Sequence, residues 1–288
     1  MDIGRRDFVK ILGSSGLLLG GAPSTTFART KTNKELLPDA VGILYDSTKC
    51  TGCKACVAAC KTYNNMAPEH SSPDQLWDDP LDLSSKTMNI IKLYKEGNEH
   101  SFIKRHCMHC IDPACVSACT VGALEKDKKT GIVTYNRDAC IGCRYCMVAC
   151  PFNIPKFEWD KAYAGIVKCE LCMHRLQEGD IPACCEFCPT EASKFGLVKD
   201  LLKEAKQRLK DDPDKYYNHI YGEEEGGGTQ VIMLAAVPFE KLGLPALPDH
   251  SGAYASEGIT HATYKGMAAP IALFIGFSYF AHKHLKGE

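Results

Sequence analysis

Cys140-Ile141-Gly142-Cys143-Arg144-Tyr145-Cys146-Met147-Val148-Ala149-Cys150-Pro151 has the spacing C-x2-C-x2-C-x3-C-P. Three thiolates in a tight loop, with a fourth on the helix that follows, suit the faces of a cubane iron–sulfur cluster. In chains that hold two such clusters, the fourth cysteine of the run ligates the other one. One complete run therefore implies a second, and the sequence on either side supplies three more sets. Upstream lie Cys50-x2-Cys53-x2-Cys56-x3-Cys60 and Cys107-x2-Cys110-x4-Cys115-x3-Cys119. Downstream lie Cys169-x2-Cys172 and, after eleven residues, Cys184-x3-Cys188 followed by Pro189.

The chain has 288 residues, a formal net charge of −1 and 17 cysteines, all of them between Cys50 and Cys188. Cysteines so confined point to metal chemistry in one domain. An exported disulfide scaffold is the competing reading, but an odd count and tight C-x2-C repeats argue against it. Zinc ribbons use two C-x2-C pairs rather than this four-cysteine run. No C-x2-C is followed by His, so covalent c-type haem is not encoded. Each cubane takes four thiolates, so sixteen of the 17 cysteines suffice for four [4Fe–4S] clusters. The x3 spacing favours Cys184 as the ligand and leaves Cys185 as a buried thiol. Near-neutral charge gives no reason to expect nucleic acid.

The exchange of fourth cysteines pairs the two central sets with each other and the two outer sets with each other. Cys107, Cys110 and Cys115 then join Cys150, and Cys140, Cys143 and Cys146 join Cys119. Cys50, Cys53 and Cys56 join Cys188, and Cys169, Cys172 and Cys184 join Cys60. The expected fold is α+β, with two ferredoxin-like lobes, one inserted in the other. They form a four-cluster domain over residues 40–200, with 61–106 an insertion between the first and second sets. A line of one-electron centres is a wire, not a catalytic pocket. His106, His109 and His174 stand beside the sets and are expected to pack or to hydrogen-bond a sulfur. The sequence carries no nucleophile–base pattern, phosphate loop or dinucleotide fingerprint. The chain is therefore expected to be non-catalytic, with catalysis left to partners.

Around the cysteines the patterning predicts a strand over Val41–Tyr45, a helix over Val57–Tyr63, and a hairpin from Asn89–Tyr94 and Ser101–Lys104. It predicts strand, turn and strand over Ala123–Tyr135, an amphipathic helix over Asp200–Leu209, and a strand over Gln230–Ala235. Residues 200–262 form a helix and an extended C-terminal region, Pro-rich from 238 to 262. Tyr45-Asp46…Cys50 and Val133-Thr134-Tyr135…Cys140 resemble each other, which marks an internal repeat. Residues 1–28 read as an export signal: Arg5-Arg6, a short Gly-diluted apolar run, then Thr26-Phe27-Ala28 at a cleavage site. The paired arginines make it a twin-arginine signal, although Gly4 stands where Ser or Thr is usual. That route carries folded proteins, so clusters can be loaded in the reducing cytoplasm before export. Residues 264–282 read as a short C-terminal transmembrane anchor. The basic tail from His282 to Lys286 puts the C-terminus in the cytoplasm and the main domain on the periplasmic side.

The four-motif arrangement resembles the four-cluster ferredoxin-type subunits of membrane-bound oxidoreductases, such as dimethyl sulfoxide reductase and formate dehydrogenase. More specifically, it resembles the subunit of this type in hydrogenase 2. The matching text includes Leu44-Tyr-Asp-Ser-Thr48, His106-Cys-Met-His-Cys110, Lys168-Cys-Glu-Leu-Cys172, Tyr221-Gly-Glu223…Gly-Gly-Thr229, Pro238-Phe-Glu240 and Tyr264-Lys-Gly-Met267. Thr120, in the place that proline takes after Cys150 and Cys188, is a departure that removes no ligand. The resemblance implies a relay. Electrons released from hydrogen by a periplasmic nickel–iron hydrogenase, with its large and small subunits, pass through the four clusters to a multi-span, quinone-reactive membrane subunit. Its alternative is the iron–sulfur subunit of a formate dehydrogenase, or of a cytochrome c-linked or other quinone-linked complex. Cleavage after Ala28 is checked by N-terminal sequencing: the mature protein is expected to begin at Arg29, and an earlier start refutes the cleavage site.

Overall fold

A computed structural model of the chain describes residues 34–68 and 79–285. The signal expected over 1–28, and part of the insertion expected over 61–106, lie outside the described residues. The chain divides into a unit of Thr30–Glu257 and a second made of Met1–Arg29 and Gly258–Glu288. In chain order the first half contains β1 (Val41–Asp46), α1 (Ala55–Tyr63), β2 (Ile90–Glu96), β3 (Glu99–Arg105), α2 (Ala114–Ser117), β4 (Leu124–Lys126), β5 (Val133–Tyr135) and α3 (Tyr145–Ala149). The second half contains β6 (Lys156–Phe157), β7 (Ile166–Val167), α4 (Met173–Gln177), α5 (Ala183–Glu186), β8 (Ser193–Leu197), α6 (Val198–Asp211), β9 (Val231–Leu234) and α7 (Ala253–Leu285).

β1 is buried from Gly42 to Asp46. A strand apolar on both faces belongs at the centre of a sheet, and β1 is the middle strand of three. It runs antiparallel to β8, with Ile43 opposite Phe195, and parallel to β9, with Ile43 opposite Val231. Residues beyond 200 therefore complete the sheet rather than trailing from it. The close approach of the two chains requires Gly42, where a Cβ would stand 1.8 Å from the Gln230 carbonyl oxygen. Gln230 Nε2 donates to the carbonyls of Val41 at 2.6 Å and Thr130 at 2.9 Å, and Oε1 accepts from Lys126 Nζ at 2.8 Å.

Helix α6 lays Val198, Leu201 and Ala205 against the sheet, a helical stripe facing Leu44, Ile232 and Leu234. In its last turn Arg208 Nη1 donates to Asp46 Oδ2 at 2.8 Å, and Tyr216 donates to the same oxygen at 2.8 Å. Asp46 Oδ1 accepts from the Thr48 amide at 3.0 Å and the Thr48 hydroxyl at 2.6 Å. The fully buried carboxylate thus clamps the end of β1 just before the first cysteine loop.

The short helices form two pairs, α1 with α5 and α2 with α3, the latter beside the β4–β5 hairpin. Strands β2 and β3 form the expected hairpin, closed by Gly97-Asn98 between Glu96 and Glu99. Residues 253–262, expected to be extended, are instead the first turns of α7. Ser251 accounts for the difference: its hydroxyl accepts from the Ala253 amide at 3.0 Å while donating to the Asp112 carbonyl at 2.6 Å, which caps the helix start. The second unit contains the remainder of α7, including Pro270 and the exposed Ile271, Phe274, Phe277 and Phe280. The anchor expected over 264–282 falls on this helix. Among the described residues, no helix is long and apolar enough to cross a membrane.

Replacing Gly42 with Ala is expected to lower stability by about 1–3 kcal/mol or more, because the obstructing atom is a backbone oxygen that cannot swing aside. Gly252→Ala, where nothing lies within 4 Å of an added Cβ, is the control. Thermal melts of the two variants check this, and equal melting temperatures refute it.

Candidate metal centres

Each of the four C-x2-C loops turns through the same backbone device. The residue before the second cysteine has positive φ: Gly52 at 69°, His109 at 47°, Gly142 at 68° and Leu171 at 53°. That left-handed conformation favours glycine and costs other residues, so His109 and Leu171 hold it only because they are fully packed, with exposures of 0% and 1%. The turn aims an amide at the first sulfur of three sets. Gly52 N lies 3.5 Å from Cys50 Sγ, Gly142 N 3.4 Å from Cys140 Sγ and Leu171 N 3.3 Å from Cys169 Sγ. The internal repeat has a physical basis too: Tyr45 and Tyr135 lie within electrostatic reach of Cys50 and Cys140, with the Tyr45 hydroxyl donating to the Phe102 carbonyl at 2.9 Å.

The thiols gather into four groups. Cys50 lies within electrostatic reach of Cys53 and Cys188, and Cys56 of Cys50. Cys169 faces Cys60, Cys172 and Cys184. Cys110 faces Cys107, Cys115 and Cys150. Cys146 faces Cys119, Cys140 and Cys143. Neighbouring groups are linked in turn by Cys56 with Cys184, Cys169 with Cys107, and Cys115 with Cys146. The groups therefore stand in a fixed order, from Cys50/Cys53/Cys56/Cys188 to Cys119/Cys140/Cys143/Cys146. Each terminal group carries an exposed thiol, Cys53 at one end and Cys143 at the other.

Burial pushes most of the thiols up: Cys56, Cys60 and Cys115 to about 12, and Cys146 and Cys150 to about 11. Cys184 runs the other way. A hydrogen bond from Cys185 and then the Lys104 ammonium, acting against burial, hold it down to about 5. Cys185 is pushed up by the same bond. Cys188 is also lowered: burial opposes ionisation there but is outweighed by the Ser193 amide and Thr190. Asn64 Nδ2 lies 3.8 Å from Cys60 Sγ and 4.0 Å from Cys172 Sγ, and Ala123 N lies 3.2 Å from Cys119 Sγ.

These surroundings fit a polynuclear cluster. Cys60, Cys169, Cys172 and Cys184 line one pocket together with His106. Both ring nitrogens of His106 are buried without a hydrogen-bond partner among the described residues. Cys119, Cys140, Cys143 and Cys146 line a second pocket. Among the described residues, no three His, Cys, Asp or Glu side chains converge closely enough for one metal ion. A cubane spreads its four thiolates over separate irons.

Of the other histidines, His109 Nδ1 accepts from the Val133 amide at 3.1 Å, and burial, then Lys168, hold its pKa well below the ordinary value. His174 is exposed. Sequence reasoning missed Lys104, Lys126 and Asn64, which carry no motif. It also missed the role of 221–231 as a brace on the Cys107–Cys110 loop. There the Ile111 amide donates to the Gly228 carbonyl at 2.9 Å, and the Gln230 and Val231 amides donate to the His109 and Met108 carbonyls at 3.2 Å.

The chain matches two family models, each described as a 4Fe-4S dicluster domain, over residues 42–120 and 98–198. It is 42% identical, over 99% of its length and 96% of the relative, to the Hydrogenase-2 operon protein HybA of Shigella flexneri. It is 37% identical, over 72% of its length and 73% of the relative, to the nitrate-inducible formate dehydrogenase iron–sulfur subunit of the same organism. It is 33% identical, over 84% and 77%, to the formate dehydrogenase iron–sulfur subunit of Haemophilus influenzae. Four thiol groups and two dicluster matches account for four [4Fe–4S] clusters as the cofactors of this chain. The chain belongs to the family of ferredoxin-type, multi-cluster iron–sulfur proteins that includes HybA.

Proposed function

We propose that this chain is the non-catalytic electron-relay subunit of a membrane-associated hydrogenase. The observation that carries the reading is the order of the thiol groups, with one exposed cysteine at each end and two covered groups between. Such an arrangement connects two docking surfaces. The proposed ligands are Cys50, Cys53, Cys56 and Cys188; Cys60, Cys169, Cys172 and Cys184; Cys107, Cys110, Cys115 and Cys150; and Cys119, Cys140, Cys143 and Cys146. When bound, each cluster supplies a one-electron carrier. The chain's own contribution is to fix the loops through their left-handed residues, to donate amides to sulfur, and to keep water from the two middle groups.

The donor in this proposal is a nickel–iron hydrogenase with large and small subunits, and the acceptor a multi-span, quinone-reactive membrane subunit. Likeness to HybA over nearly the whole chain supports the hydrogenase link. The formate dehydrogenase relatives support a second reading, the equivalent subunit of that enzyme or of another quinone- or cytochrome-linked complex. The proposed location is the periplasmic side of the cytoplasmic membrane, reached by the twin-arginine route and held by the C-terminal helix over 264–282. The exposed Leu273, Phe274, Ile275, Phe277 and Tyr279 support membrane attachment.

Iron analysis of the anaerobically purified chain is expected to give about sixteen irons per chain. Cys184→Ser should lose about four of them or leave a three-iron centre, whereas Cys185→Ser should keep all of them. The reverse result reassigns the ligand, and stoichiometric zinc in place of iron refutes the relay. Alkaline carbonate washing of membranes is expected to leave the chain in the pellet. Release into the supernatant rules out an integral anchor.

A further inference from the structure

Asn64 is the residue at which α1 ends. Its backbone leaves the helix at φ −112° and ψ 16°, and Asn65, at φ 53°, turns the chain away in the left-handed conformation. The Asn64 side chain reaches back over the last helical turn, where its Nδ2 donates to the Cys60 carbonyl at 2.8 Å. A carbonyl can only accept, so this bond fixes which end of the amide faces Cys60. The same nitrogen lies 3.8 Å from Cys60 Sγ and 4.0 Å from Cys172 Sγ, within range of N–H···S hydrogen bonds. An amide nitrogen carries two hydrogens. One serves the carbonyl, and the other is left for the two sulfurs.

Those sulfurs come from different parts of the chain. Cys60 closes the first cysteine set and Cys172 belongs to the fourth, 108 residues beyond Asn64. Both line one pocket with Cys169 and Cys184. The amide thus bridges the two segments that meet at this centre. Its neighbours act differently. The Leu171 amide, 3.3 Å from Cys169 Sγ, is backbone and reaches one sulfur. The Thr190 hydroxyl, 3.8 Å from Cys188 Sγ, belongs to another group and can either donate or accept. Asn64 Nδ2 can only donate, and it faces two ligands of one centre.

Resting on the relay reading above, we propose that Asn64 is a positioning residue that raises the reduction potential of the Cys60/Cys169/Cys172/Cys184 centre by donating N–H···S hydrogen bonds to two of its ligand sulfurs. One-electron reduction adds negative charge, part of which falls on the thiolate sulfurs. A donor aimed at them therefore stabilises the reduced form more than the oxidised one. This centre stands between the Cys50 group and the Cys107 group, so its potential sets how readily electrons cross from that end of the relay into the rest. A partner around the ligands is the kind of contact that tunes a metal site without touching the metal.

The test is a redox titration of the anaerobically purified full chain, followed by electron paramagnetic resonance. Wild type is compared with Asn64→Leu, which removes the donor, and with Asn64→Asp, which keeps the shape but puts a carboxylate oxygen in place of the nitrogen. Cys172→Ser assigns the signal of the affected centre. Asn64→Leu is expected to lower that potential by ~59 mV, the equivalent of a tenfold change in a one-electron equilibrium. Asn64→Asp should lower it at least as far, and the other three centres should stay unmoved in both. Where one variant fails to keep the centre, the other decides. The proposal is overturned by an unchanged or raised potential at the Cys172-assigned centre in an iron-replete variant, or by equal shifts at all four centres. Loss of that centre's iron in both variants also overturns it, because the residue is then structural. Absence of iron from the wild-type chain would instead defeat the relay reading itself.

Discussion

Four thiolates brought into one pocket repel one another, and burial alone already opposes their ionisation. The chain contains four such pockets in succession, and the elevated values at Cys56, Cys60 and Cys115 record that conflict. Positive metal is the countercharge that resolves it, because coordination deprotonates the thiols and binds them at once. Much of the surrounding structure serves this constraint. The left-handed turns and the amides aimed at sulfur supply positive dipole where sulfur converges.

The sheet and the C-terminal region answer a different need. Short helices of four or five residues have little stability of their own. They are held by what they pack against. β1 gives the first loop a rigid start, and Asp46, clamped by Arg208 and Tyr216, fixes where that strand ends. Gln230 ties β1, the Thr130 turn and Lys126 together across 189 and 100 residues of chain to the first two. Residues 221–231 then brace the Cys107–Cys110 loop.

The ligand pattern was readable because cluster binding is local: two or three residues between thiols suffice to name the chemistry. Strands and helices with clear periodicity were also legible, among them β1, the β2–β3 hairpin and α6. Long-range dependences were not. Lys104 reads as one residue of a strand, yet Phe102, Ile103 and Lys104 are all buried in succession, which no alternation rule anticipates. His109 and Leu171 occupy turns where glycine would have been the signal. The start of α7 was missed because its cap, Ser251, depends on a carbonyl 139 residues away.

The nesting of the thiol groups has a meaning in time as well as in space. The two inner groups are complete once Cys150 has left the ribosome, while each outer group lacks a member until Cys184 and Cys188 have followed. Synthesis therefore delivers this molecule from the inside outward, with the inner lobe a spool on which the flanking chain closes. β9 emerges later still, and only then can the central sheet be finished beside centres whose ligands are already assembled.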